Sequence, residues 1–300
     1  MSNLEVNLNG LHLKNPVTVA SGTFGCGREY EPYLDLNELG AISVKGITLQ
    51  ERKGNPAPRL RETPMGLLNS VGLQNPGVEH FVEHEIPYLR QFDTKIIANI
   101  NGSSLEEYET LAKRLSTEDI DSFELNVSCP NVKAGGMGFG TNESMLREVV
   151  KQVRMALKDK HLMVKLTPNV TDIQRMAKIC EEEGADALSL VNTFSGMSID
   201  INRRKPDFFL KGAGLSGPAI KPLALKKIYD VYGAVNIPIL GMGGISDAED
   251  ALEFILAGAC AIALGTILFT NPKAPIEVLE GIQKYLKGDA LTSIIGEAHR

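Results

Sequence analysis

The stretch that decides the fold runs from Asp121 to Asn131 and reads DSFELNVSCPN. Phe123, Leu125 and Val127 alternate with Glu124, Asn126 and Ser128, the two-residue period of a strand, in aromatic and β-branched residues suited to a pleated surface. Pro130 has no amide hydrogen for a ladder and pushes its predecessor toward extended geometry. The strand is therefore expected to stop there, with Cys129 where strand gives way to loop. The next segment, Asn131 to Thr141, carries Gly135, Gly136, Gly138 and Gly140, a composition able to move over a site. A lone cysteine in such a place reads first as a small buried apolar group. Other strand ends supply the company that gives it chemistry.

Short apolar runs recur on both sides of this stretch: Pro16 to Ala20, Ala41 to Lys45, Lys95 to Ile100, Ser122 to Val127, Leu162 to Leu166, Ala187 to Val191, Pro238 to Gly241 and Ala259 to Leu264. Most precede helical periodicity, as in Leu105 to Leu115, Met145 to Leu157, Ile173 to Glu183, Pro222 to Tyr232 and Ala248 to Ala257. Apolar strands alternating with amphipathic helices indicate a parallel sheet covered by helices, and eight such units close into a (β/α)8 TIM barrel. Val6, Leu8, Leu11 and Leu13 flank Asn9-Gly10, a type I′ turn signal, so an N-terminal β-hairpin is expected to cap one end. Leu49 to Thr94 and Thr193 to Lys221 are long insertions that follow strand ends, at the C-terminal face where barrel enzymes build their sites. No break in composition marks a second domain, so residues 1–300 read as one barrel domain.

Composition narrows the class. The 300 residues are 43% hydrophobic, enough to bury one large core, and the net charge of -6 argues against a nucleic-acid partner. The run Arg203, Arg204, Lys205 reads as a solvated loop or a local anion contact rather than a nucleic-acid patch. Cys26, Cys129, Cys180 and Cys260 lie far apart without a C-x-x-C pair, so neither a disulfide framework nor an iron–sulfur or zinc cluster is encoded. The amino terminus is polar, and the longest apolar stretch, Phe254 to Phe269, is broken by Gly258 and Gly265. The expectation is a cytoplasmic chain with no membrane span.

Residues at or just beyond the carboxyl ends of the strands converge on one face: Ser21-Gly22, Lys45-Gly46, Asn99, Asn126 with Cys129, Lys165, Asn192-Thr193, Gly243-Gly244 and Gly265-Thr266. Amides at three strand ends, with Asn69 in the first long loop, suit a planar ligand rich in carbonyl and N–H edges. Lysine is rarely buried without an anion, so Lys45 and Lys165 point to a negative ligand or to charge that develops in a reaction. Glycines after strands seven and eight, in GMGGIS (Gly241 to Ser246) and ALGTILF (Ala263 to Phe269), are suited to cradling a phosphate. Phosphate at one end, with amides, lysines and a thiol at the other, matches the shape of flavin mononucleotide (FMN). Two patterns are set aside. Gly136-Met137-Gly138-Phe139-Gly140 has the wrong spacing and context for a dinucleotide fingerprint, and His80-Phe81-Val82-Glu83-His84 lacks a clear third metal ligand, so no metal is assigned.

Over essentially its whole length the chain resembles the catalytic subunits of the dihydroorotate dehydrogenase family. The motifs that carry the likeness are ASGTFG, KGIT, GNPAPR, NSVGLQNPG, NVSCPN, KLTPN, VNT, LSGPAIKP, GMGGI and ALGT. The resemblance implies oxidation of dihydroorotate to orotate in pyrimidine synthesis, on FMN held in a (β/α)8 barrel. Cysteine at the catalytic position looks like the soluble class, and NSVGLQNPG and NVKAGG look most like its NAD-linked subclass (class 1B). There a partner electron-transfer subunit carries FAD and an iron–sulfur cluster, and the catalytic chain also pairs with itself as a dimer. Carried over residue by residue, Cys129 would be the base. Lys45, Asn126, Asn192, Thr193 and the loop Asn69, Ser70, Val71, Gly72 and Leu73 would hold the substrate. Ser21, Lys45, Gly46, Asn99, Asn126, Val191, Gly217, Gly243, Gly244, Gly265 and Thr266 would line the FMN site, with Lys165 stabilising the anionic reduced ring. Rival readings are a fumarate-dependent homodimeric relative, another FMN barrel acting on pyrimidines, a flavin-free barrel isomerase or synthase, and a non-catalytic binding subunit.

Overall fold

A computed structural model describes residues 4–128, 130–131 and 137–300. Among these residues, eight parallel strands close into a barrel. They are β1 (Val17–Val19), β2 (Ala41–Ser43), β3 (Lys95–Ile100), β4 (Ser122–Asn126), β5 (Leu162–Lys165), β6 (Ala187–Leu190), β7 (Ile239–Met242) and β8 (Ala259–Leu264). Each pairs with the next in chain order and β8 returns to β1, with Ile262 opposite Val17 and Leu264 opposite Val19. Helices Leu105–Leu115, Glu143–Leu157, Ile173–Glu182, Lys221–Tyr232, Ala248–Leu256 and Ala274–Leu286 follow β3 to β8 in turn. Four start on a polar cap: the side chains of Ser104, Asn142, Asp172 and Asp247 each accept from a backbone N–H three residues on, satisfying a donor the helix leaves open. The helix Ala274–Leu286 joins this set although the sequence reading names none there; its buried Val278, Ile282 and Leu286 have the same spacing.

The barrel assigns the two faces of each strand differently from an open sheet. Phe123 and Leu125 of β4 point outward and are fully buried under the helices. Glu124, on the other face, is just as buried, because that face is the barrel interior. Its carboxylate accepts from Asn99 of β3 and from Ser189 of β6, and the second contact spans two strands, which only the interior allows. The alternating pattern in this stretch thus separates helix-facing from barrel-filling residues, with solvent on neither side.

The N-terminal hairpin pairs Val6–Leu8 with Leu11–Leu13 through Asn9 (φ 54°) and Gly10 (φ 110°), the two left-handed residues that a type I′ turn requires. It closes the amino end of the barrel, since His161, just before β5, bonds through Nε2 to the Leu8 carbonyl at 2.6 Å. The carbonyl accepts only, so Nε2 carries the proton. Nδ1 lies 2.7 Å from the Ser122 hydroxyl, and the half-buried ring, held below its ordinary pKa, is neutral at pH 7 with Nδ1 accepting. At the opposite end the two long insertions meet. Phe194–Gly196, Ala213–Ser216, Gly66–Asn69 and Leu60–Thr63 form one antiparallel sheet in that order, a feature the sequence reading does not foresee because its strands come from segments over 140 residues apart.

One expectation is corrected in detail. β4 ends at Asn126, not at Pro130, because the Asn126 side chain turns back to accept from Ser128 N–H at 3.2 Å. Pro130–Asn131 instead pairs with Met137–Gly138, and Gly140 N–H donates to the Val127 carbonyl at 2.8 Å, so the described base of the glycine-rich segment is tied to the barrel. Cys180 is buried on the helix Ile173–Glu182, and Cys260 lies half-buried in β8. His80 and His84 share an exposed helix face with rings 4.6 Å apart, and no cluster of three or more potential metal ligands occurs among the described residues. No described helix is long and apolar enough to cross a membrane.

Burial holds the His161 imidazole below its ordinary pKa, so the folded state resists protonation while the unfolded chain accepts a proton near pH 6.5. Stability from this group is full above about pH 6.5 and falls as pH drops toward the lower folded value. Urea midpoints measured from pH 7.5 down to 5.5 should fall less steeply for His161→Gln, which keeps a donor for Leu8, than for the parent chain.

Candidate active site

A cavity of about 1090 Å³ opens at the carboxyl ends of the strands, beneath the antiparallel sheet. Its walls include Ser21 after β1, Lys45 and Gly46 after β2, Asn99 of β3, Asn126 of β4, Lys165 of β5, Val191, Asn192 and Thr193 after β6, Gly243 and Gly244 after β7, and Gly265 and Thr266 after β8. The loop Asn69, Ser70, Val71, Gly72 and Leu73 and Gly217 complete the wall from the two insertions. Cys129 lies outside the described residues. Its neighbour Ser128 lines the same cavity.

The electrostatics at the floor are unusual for a protein interior. Lys165 is only 5% exposed, with Nζ 3.4 Å from Ser21 Oγ and 3.7 Å from a carboxylate oxygen of Glu124. Lys45 faces the same space and has its pKa lowered, chiefly by burial and further by the charge of Lys165. Two cations and one carboxylate therefore share one poorly solvated volume. An anion entering the cavity relieves both the desolvation and the repulsion felt by Lys45, so the site favours a negatively charged ligand.

The amides form a second group. Asn192 Nδ2 donates to Asn126 Oδ1 at 3.2 Å and to Ser128 Oγ at 2.9 Å, joining the ends of β4 and β6. The Asn126 carbonyl is held from outside by the Tyr108 hydroxyl at 2.6 Å. Thr193 is positioned by Asn169, whose Nδ2 donates to the Thr193 carbonyl at 3.0 Å while its Oδ1 accepts from Ser195 N–H at 2.8 Å. Asn75 anchors the 69–73 loop: its side chain accepts from Gly77 N–H and donates to Leu73 O at 2.7 Å and to Thr48 Oγ1 at 2.8 Å. The result is a set of fixed donors and acceptors suited to the edges of a flat heterocycle.

At the far end the wall is bare backbone. Gly243 (φ 126°), Gly244 (φ 84°) and Gly217 (φ 96°) all sit where a side chain would be strained. A Cβ on Gly244 would stand 2.8 Å from Lys221 N and 2.9 Å from Gly217 O, so three segments meet there through backbone alone. Gly265 opens the short helical turn Thr266–Phe269, and Thr266 Oγ1 donates to Ser216 Oγ at 2.8 Å. Such a cradle accepts phosphate oxygens closely. Together with the lysines and amides it fits FMN, whose phosphate and ring need these two environments.

Several wall residues are absent from the sequence-based set. Ser128 and Asn55 sit within motifs already singled out, and Asn55 donates to the Ser70 carbonyl at 2.9 Å. Arg52, bonded to Ser103 Oγ at 2.8 Å, comes from the first insertion with no local signal. Beneath the wall, Glu124 is legible only as the polar side of a strand.

A family model described as dihydroorotate dehydrogenase matches residues 3–286. The chain is 57% identical over 285 residues to a protein of Alkaliphilus metalliredigens (strain QYMF), covering 95% of this chain and 94% of that one. It is 55% identical over 292 residues to one of Caldicellulosiruptor bescii, covering 97% of each, and 53% identical over 301 residues to one of Desulforamulus reducens, covering 99% of each. All three are named dihydroorotate dehydrogenase B (NAD(+)), catalytic subunit.

Gly244→Ala tests the cradle. The left-handed backbone and the collision with Lys221 N should cost about 1–3 kcal/mol in urea unfolding. The same substitution should weaken FMN binding about tenfold or more by fluorescence titration, since a shift of that backbone costs over 1.4 kcal/mol of contact.

Proposed function

The chain belongs to the dihydroorotate dehydrogenase family, and on that premise we propose that its cavity binds FMN and dihydroorotate together, with Cys129 as the base. It oxidises dihydroorotate to orotate in pyrimidine biosynthesis. The observation that carries the reading of the site is the joint presence of Lys45, Lys165 and the amides of Asn99, Asn126 and Asn192 in one cavity with a glycine cradle at its end.

Forming the double bond beside a carbonyl removes a proton from one carbon and a hydride from its neighbour. FMN supplies the hydride acceptor. The thiolate of Cys129 would take the proton. Asn126, Asn192 and Thr193 hold the pyrimidine and its carboxylate, and the link from Asn192 to Ser128 supports a fixed pose next to Cys129. Lys45 compensates the substrate's negative charge. Lys165 would help hold FMN and offset the negative charge that its ring takes up on reduction. Ser21, Gly46, Val191, Gly217, Gly243, Gly244, Gly265 and Thr266 hold the nucleotide, and Ser70 to Leu73 close the substrate side.

The relatives' printed name supports an assembly in which this chain is the catalytic subunit and electrons reach NAD through a partner subunit. We assign FAD and an iron–sulfur cluster to that partner, and a paired arrangement of this chain within a heterotetramer. The exposed Met197, Ile199, Ile201, Phe209 and Leu210 on the second insertion support cover by another chain. Residues 1–300 are read as one domain, because barrel, cap and site share a contiguous apolar core.

The purified chain should be yellow and should bleach when mixed without oxygen with dihydroorotate but not with dihydrouracil. Cys129→Ala should still bind orotate yet reduce its flavin about two to four orders of magnitude more slowly in stopped flow. In the parent chain that rate should climb with pH toward the ordinary thiol value of about 8.5, because only the thiolate accepts the proton. Reduction at the parental rate in Cys129→Ala would remove the cysteine from this role.

A further inference from the structure

Glu124 is a charged group that the proposed chemistry does not use, yet it is fully buried beneath the cavity. A carboxylate in such a place is strongly disfavoured unless bonds and an opposite charge hold it. Its two oxygens meet three groups from three other strands: one accepts from Ser189 of β6, the other accepts from Asn99 of β3 and lies 3.7 Å from Lys165 Nζ of β5. Asn99 is itself oriented by Asn101, whose Nδ2 donates to Asn99 Oδ1 at 2.7 Å, so the Asn99 amide presents N–H toward Glu124. Every partner is a donor, so both oxygens of the acid are met as hydrogen-bond acceptors.

We propose that Glu124 is a positioning residue, whose buried carboxylate pairs with the Lys165 ammonium and holds it toward the flavin side of the cavity. The inference rests on the reading above that Lys165 faces FMN. Among the described residues, the charged groups facing Lys165 are Glu124 from β4 and Lys45 from beyond β2; Ser21 Oγ is its neutral neighbour. Lys45 repels it, which leaves Glu124 as the described anion that pairs with it. Without Glu124 the pair of lysines is left with two positive charges and no described counter-charge.

The test uses the flavin-loaded chain carrying lysine labelled with carbon-13 at Cε, with the Lys165 signal assigned through Lys165→Arg. Glu124→Gln, nearly the same shape without the charge, should raise the acid dissociation constant of Lys165 about tenfold or more. Glu124→Asp should recover part of that shift. An unchanged Lys165 titration in a folded, yellow Glu124→Gln protein would overturn the inference and leave the acid as a hydrogen-bonding member of the core. Stability supplies an independent reading. Lys165→Met strands the carboxylate, so adding Glu124→Gln to it should raise the unfolding temperature; a further fall would also overturn the pairing. If Glu124→Gln alone fails to fold, a folded Glu124→Gln/Lys165→Met double variant supports the pairing, and failure of both overturns it. A chain that binds no flavin instead overturns the functional reading, and with it the direction assigned to Lys165.

Discussion

Closure of the sheet is the constraint on which this protein depends. Because β8 pairs in parallel with β1, all eight strands run the same way around one axis and their carboxyl ends lie on one rim. Residues far apart in sequence, from Ser21 to Thr266, are thereby brought to the edge of a single cavity. An open sheet of the same strands would spread these groups along a line. It would also expose the face that carries Glu124 and Lys165 to water or to a helix, where neither charge could act on a ligand at the centre.

The closed interior also fixes the electrical character of the site. The residues inside the barrel are deeply buried, and the balance of Lys45, Lys165 and Glu124 leaves the cavity short of negative charge. An excess of positive charge of this kind suits a negatively charged ligand. The ordering of the amides is a separate matter. Asn126, Asn192 and Thr193 are held by Tyr108, Ser128 and Asn169 from behind, so their free hydrogen-bonding atoms are aimed before any ligand arrives.

Much of this was legible along the chain because it is written in local periodicity. All eight strands lie within a residue or two of the apolar runs that announce them, and the hairpin turn follows from Asn9 and Gly10 alone. Residues at the strand ends could be named in advance, since alternation and breakers locate where each strand stops. The misses share a cause. The antiparallel sheet above the cavity pairs segments from two distant insertions, and no local pattern in Gly66–Asn69 points to Ala213–Ser216. Arg52 enters the cavity by the same route.

Sequence by itself determined the element order, the turn chemistry and which residues could stand at the rim, because these depend on neighbours a few positions apart. Tertiary structure decided what those residues meet. The side of β4 that bears Glu124 is polar in any reading, but only closure turns that side inward and sets its carboxylate against Asn99, Ser189 and Lys165. The physical reason is that burial and charge pairing are properties of a three-dimensional neighbourhood, and a charged side chain takes its role from the groups that surround it after the water has gone.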